Sequence, residues 1–117
     1  MIEIRFKDKV KEYADIIERI EKLEISEEEM ITRLKAKLRF FDGTVLYVRE
    51  IWLNENVDSY SYYWLRSDET VIIGWDNAPH HLRISSFPHH KHIGDRIEIS
   101  SERNLGEVLG SIRAFFG

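Results

Sequence analysis

Histidine is the only side chain whose ordinary pKa lies between pH 5 and 8. All five histidines of this 117-residue chain fall in one stretch, at positions 80, 81, 89, 90 and 92. Both prolines, Pro79 and Pro88, lie in the same stretch, each directly before a His-His pair. A proline holds the residue before it in extended backbone. Ala78 and Phe87 are so restricted, and each proline presents its pair, His80-His81 or His89-His90, from a defined direction. Asp76 and Asn77 stand at the start of the stretch. They either cap a turn or orient an imidazole through its second nitrogen.

Three chemistries fit these residues. The first is metal-free cleavage of RNA, which needs no cofactor. One imidazole among His80, His81, His89, His90 and His92 takes the proton of a ribose 2′-hydroxyl. Another protonates the leaving 5′-oxygen, while Lys91 or an arginine stabilises the phosphorane. This requires imidazoles on opposite sides of the phosphate, a need that two separated pairs satisfy. The expected product is a cyclic phosphate, formed without metal. The second chemistry is a divalent transition-metal site. His89, His90 and His92 with Asp76 would supply nitrogen and oxygen donors for zinc, nickel or manganese. The spacing is not a specific zinc signature. In the third reading the loop does no chemistry and serves as a partner-binding or structural element. Ser85 and Ser86 lack the elbow motif of a serine nucleophile.

The elements that position the loop can be read from periodicity. Residues 7–24 carry Val10, Tyr13, Ala14, Ile17, Ile20 and Leu23 at helical spacing, with Glu18 and Lys22 as an i, i+4 pair. An amphipathic helix is expected there. Residues 30–41 alternate with a period of two, which predicts a half-buried strand. Asp42-Gly43 follows, a strong signal for a two-residue hairpin turn. That turn pairs Lys35 with Glu50, Lys37 with Val48, Arg33 with Trp52 and Ala36 with Arg49, across a return strand at 44–54. Arg33, Lys35, Lys37 and Arg39 then form a cationic row, with roughly 7 Å between alternate residues. Such a row either follows a sugar–phosphate backbone or is an ordinary solvated sheet face.

A third strand is expected at 59–66, with Tyr60, Tyr62 and Trp64 on one face. A fourth spans 70–75, and a short strand is expected at 96–99. The aromatics read as cross-strand core packing or as a platform for bases, and Tyr63 and Trp75 are the candidates for contact with nucleic acid. Ser100 to Asn104 are cap residues before a C-terminal helix bearing Leu105, Val108, Leu109, Ile112, Phe115 and Phe116. Gly106 and Gly110 are expected to let it approach the sheet closely. The fold class is α+β: an antiparallel meander β-sheet of four to five strands with an N-terminal and a C-terminal helix, in one domain over 1–117.

Composition sets the outer limits. No cysteine is present, which removes disulfides and thiolate metal sites, and 43% of residues are hydrophobic, enough for a core. No apolar run approaches the roughly 18 residues of a membrane span. The charged N-terminus does not read as a signal peptide, so a cytoplasmic location is expected. The many charged residues and the lack of Gln resemble a thermophile's composition. Residues 1–29 hold ten acids and six bases, so they carry the whole net charge of −4. The remainder is neutral, unlike a strongly basic nucleic-acid binder.

Trp75 to His81 and Phe87 to His92, with the Tyr60 to Trp64 stretch upstream, resemble the TumE family, toxins of prokaryotic toxin–antitoxin modules. The resemblance covers roughly residues 28–110. It implies a small cytoplasmic protein neutralised by a helix-turn-helix antitoxin and acting on RNA or translation. Carried over, the motif residues are Asp76, Asn77, His80, His81, His89, His90, Lys91 and His92. A homodimer is left open. The acidic N-terminal segment departs from the basic character common in RNA-cutting toxins.

Overall fold

The computed structural model describes residues 1–117. Helix α1 (Ile2–Glu12) is followed by strands β1 (Ile17–Glu28), β2 (Ile31–Phe40), β3 (Val45–Leu53), β4 (Asn56–Leu65), β5 (Val71–Asp76), β6 (His90–Ile93) and β7 (Arg96–Ile99), and then by helix α2 (Leu105–Phe115). The strands lie side by side in chain order in one sheet of seven. Every neighbouring pair is antiparallel. The expected meander with a helix at each end is present, with seven strands where four to five were expected.

The two additional strands have physical explanations. Within residues 7–24, expected to be one helix, the chain leaves α1 at Tyr13 and enters β1. Ile17, Ile20 and Leu23 pair with Phe40, Leu38 and Ala36, all of them core residues. Residues three apart reach the same sheet face because the register shifts after Ile17 and again after Ile20. Each bulge inserts one extra residue, so a strand carries apolar residues at a spacing that mimics a helix. The other unexpected strand, β6, lies within the histidine stretch. Its alternation is hidden because the two positions on one of its faces, 90 and 92, are both histidines.

The hairpin after β2 uses one residue more than Asp42-Gly43 suggested. The Gly43 N–H donates to the Phe40 carbonyl (3.0 Å), and the Phe40 N–H donates to the Thr44 carbonyl (2.9 Å). Gly43 has φ +90°. A turn followed by a left-handed glycine is the usual three-residue hairpin connection. The Asp42 carboxylate accepts from the Thr44 N–H at 2.9 Å and from its hydroxyl at 2.6 Å. The register therefore slips by one: Lys35 faces Arg49, Lys37 faces Tyr47, Arg33 faces Ile51 and Ala36 faces Val48. A slip of one residue exchanges the faces of a strand. Here it takes Arg49 out of the core and puts Glu50 in.

One face of the sheet is covered. Leu34, Leu38, Phe40, Leu46, Val48, Tyr62, Trp64 and Trp75 pack with Phe6 of α1 and with Val108, Leu109 and Ile112 of α2. Each such side chain contributes about 1.5–3 kcal/mol by leaving water. A reciprocal capping box between Asn104 and Glu107 starts α2, worth about 1 kcal/mol. Gly106 and Gly110 turn toward α1 rather than the sheet, with Lys9 and the Tyr13 hydroxyl 3.4 Å from where a Cβ would stand. The opposite sheet face is open.

Candidate functional site

Strand alternation sorts the chemically capable residues between the two faces. On β6, His90 and His92 take the open face, opposite Asp76 and Gly74 of β5. Lys91, between them, falls on the helix side opposite Trp75. From the preceding loop His81 returns to the open face. Its ring centre lies 4.8 Å from that of His90 and 5.9 Å from that of His92, while His90 and His92 are 4.9 Å apart. One histidine of the first pair thus meets one of the second, and His92 joins them. His80 is exposed.

His89 faces away from this cluster. Its ring stacks on Tyr60, and its Nδ1 lies 2.9 Å from the Tyr60 hydroxyl. That hydroxyl also accepts from the Arg103 N–H. Burial raises the Tyr60 pKa, which keeps the hydroxyl protonated.

Asp76 is the hub of the cluster, and it is only 8% exposed. Its Oδ1 lies 2.8 Å from His90 Nε2 and accepts from the Ala78 N–H at 3.0 Å. Its Oδ2 lies 3.3 Å from His92 Nε2 and accepts from the Tyr63 hydroxyl at 2.9 Å. His90 Nδ1 is 3.0 Å from the Pro88 carbonyl oxygen. Burial holds the His92 pKa below its ordinary value, against the opposing pull of Asp76. Burial and the Asp76 carboxylate raise the Tyr63 pKa, so its hydroxyl remains a donor. Tyr63 can lie across β5 because residue 74 is glycine. A Cβ there would stand 2.4 Å from the ring.

The neighbouring loop residues act as ties. Asn77 accepts from the Tyr60 N–H and donates to the Asp58 carbonyl, fixing the loop to β4. The Ser86 hydroxyl donates to the His89 carbonyl and accepts from the Ser100 N–H. It latches the loop to the end of β7.

A groove of about 460 Å³ lies along the open face beside the cluster, lined by Arg33, Lys35, Arg49, Ser61, Tyr63 and Asp76 among others. Lys35, Arg49, Ser61, Asp76 and His90 are successive cross-strand neighbours. The cationic row read from β2 divides in two. Arg39 and Lys37 are bound by Glu21, at 2.9 and 3.4 Å. This carboxylate stands at the second bulge of β1, and Arg39 draws its pKa down to about 2. Arg33, Lys35 and Arg49 form no ion pair.

Arg49 is the residue that sequence reasoning missed. The signal was present, because the two-residue turn had forced an arginine to face Ala36 in the core. Of the two aromatics assigned to nucleic acid, Tyr63 lines the groove. Trp75 is 4% exposed and packs in the core on the other face, where no base can stack on it.

No helix is long and apolar enough to cross a membrane. No curated protein matches the chain, and no solved structure matches it. A family model does: the model described as toxin TumE matches residues 6–117. The buried Asp76, its histidines and the groove all lie inside that match, and the chain belongs to the TumE family of toxins.

Proposed function

We propose that this toxin cleaves RNA, holding the strand in the open-face groove with the reacting phosphodiester at the cluster of His81, His90, His92 and Asp76. Membership of a toxin family implies an antitoxin partner. The proposed antitoxin is a helix-turn-helix protein. The reading rests on the unneutralised cations. Lys35 and Arg49 face each other directly across two strands, with Arg33 one position along. Like charges directly opposite destabilise a sheet, and an anion lying across them removes that cost. The groove they line reaches the buried carboxylate of Asp76, which the imidazoles of His90 and His92 contact from its other side.

The chemistry asked of the cluster is a proton relay. The 2′-oxygen attacks the adjacent phosphorus as its proton leaves, and the 5′-oxygen departs with a proton. A 2′,3′-cyclic phosphate and a 5′-hydroxyl remain. Histidines supply groups that change charge near neutral pH. Asp76 fixes two of them, and Arg49 and Lys35 stand where they hold the strand.

Purified toxin incubated with single-stranded RNA is the test. Fragments with cyclic-phosphate ends are expected, and the triple variant Arg33→Glu, Lys35→Glu, Arg49→Glu should lose both cleavage and RNA affinity. Undiminished cleavage by that variant would remove the groove from the mechanism. Tight RNA binding with no turnover would make the protein a binding module instead.

A further inference from the structure

The contact between His90 and Asp76 poses a problem in hydrogen bonding. The Pro88 carbonyl oxygen only accepts, so His90 Nδ1, 3.0 Å away, carries the ring proton. In neutral imidazole the other nitrogen is then an acceptor. His90 Nε2 nevertheless lies 2.8 Å from Asp76 Oδ1, which already accepts from Ala78. Two lone pairs at this distance need a positive charge between them. His92 Nε2 approaches the other carboxylate oxygen at 3.3 Å, and His81 faces both rings without a hydrogen bond of its own. One ion held in common would take up the lone pairs at His90 and Asp76 and engage the other two rings.

We propose that His81, His90, His92 and Asp76 form a binding site for one divalent transition-metal ion. The dimensions fit. Bonds of about 2.0–2.2 Å to zinc place tetrahedral ligands roughly 3.3 Å apart. The two histidine–carboxylate distances are 2.8 and 3.3 Å, and one nitrogen from each of the three rings lies within 4.8 Å of the others. A modest inward swing of His81 closes the set.

The outer partners also match those of a metal centre. The Pro88 carbonyl fixes the His90 tautomer, and the Tyr63 hydroxyl and Ala78 N–H hold the two carboxylate oxygens. Three imidazoles and one carboxylate, with no thiolate, suit zinc, nickel, cobalt or manganese. Where bound, the ion supplies a Lewis acid at the end of the groove. Metal binding itself does not require that RNA be the substrate.

The test is calorimetric titration of chelator-treated protein with zinc chloride, together with the visible spectrum of the cobalt(II) form. One ion per chain and a tetrahedral cobalt spectrum are expected. His81→Ala, a change at a half-exposed residue that leaves the core intact, should weaken zinc at least tenfold. Tyr63→Phe removes only the hydroxyl on Asp76 and should weaken it about tenfold. His80→Ala should leave the affinity unchanged. Absence of binding by the parent protein would overturn the proposal. So would binding that is lost in His80→Ala and retained in His81→Ala, which would mark chelation by the exposed loop. Arg49→Glu separates the two readings, because it should retain zinc and lose RNA cleavage.

Discussion

The histidine stretch divides its residues between the open-face cluster of the proposed site and supports for the loop, and single substitutions should separate the two. His81→Ala should reduce RNA cleavage by at least a hundredfold, the scale expected when a proton-transfer or metal-binding group is lost. His80→Ala, at an exposed ring outside the cluster, should leave the rate within about twofold, measured on the same RNA. His89 belongs to the support. Losing its bond and stacking with Tyr60 should cost about 1 kcal/mol of stability, visible as a lower melting temperature. Activity per folded molecule should remain. If His89→Ala abolished cleavage in a folded protein, the assignment of His89 to the scaffold would fall. From sequence alone all five histidines were candidates for proton transfer, and His89 stood with His90 and His92 as a candidate metal ligand. What separates them is the pleat of β6, which turns His90 and His92 to the open face and Lys91 away.

At the scale of elements, the bulges of β1 deserve a test of their own. The second places Glu21 against Arg39 and Lys37, and its pKa falls from 4.5 to about 2. A carboxylate with a lowered folded pKa contributes stability that is complete above its unfolded value and is lost as pH falls through the folded one. The melting temperature should therefore drop between about pH 4.5 and pH 2, and Glu21→Gln should flatten that part of the profile. Gly74→Ala acts differently. Its new methyl would meet the Tyr63 ring 2.4 Å away, so the ring must leave and Asp76 loses its hydroxyl partner. Reduced activity is expected, with a change in tyrosine fluorescence reporting the displaced ring.

These elements also show how far a pattern can be trusted. Strands β2 to β5 and helix α2 were readable because apolar residues keep one period over most of β2 and α2 and because short turns mark off β3, β4 and β5 despite register shifts near their ends. In β1 the bulges break the strand period and imitate a helical one. At the β2–β3 hairpin the dipeptide Asp42-Gly43 marked the turn correctly, yet Phe41 joined the loop and moved Arg49 to the other face. A dipeptide carries no information about which neighbouring residue the loop takes in.

For the whole molecule the distribution of charge outweighs its sum. The excess acid lies in β1 and the residues that flank it, at the sheet edge remote from β6, and Glu21 there pairs with half of the β2 row. Arg33, Lys35 and Arg49 remain for an anion. If each meets one phosphate, the logarithm of RNA affinity should fall with the logarithm of salt with a slope of about −2, and each cation removed should flatten it by about 0.7. A salt titration of RNA binding measures this directly. The −4 total argued against RNA only so long as charge was treated as a sum.

A meander in chain order also gives the molecule a direction in time. Each strand pairs with the one made just before it, so most of the sheet depends on local closure, which is fast. On a ribosome, the early strands emerge and can pair before residues 76–92 do. His90 and His92 join Asp76 only after β6 has appeared, and the core face is not covered until α2 follows. The residues of the proposed site are therefore among the last to come together. For most of its own synthesis the nascent chain is a scaffold on which that site is incomplete, and an antitoxin already present has that interval in which to meet it.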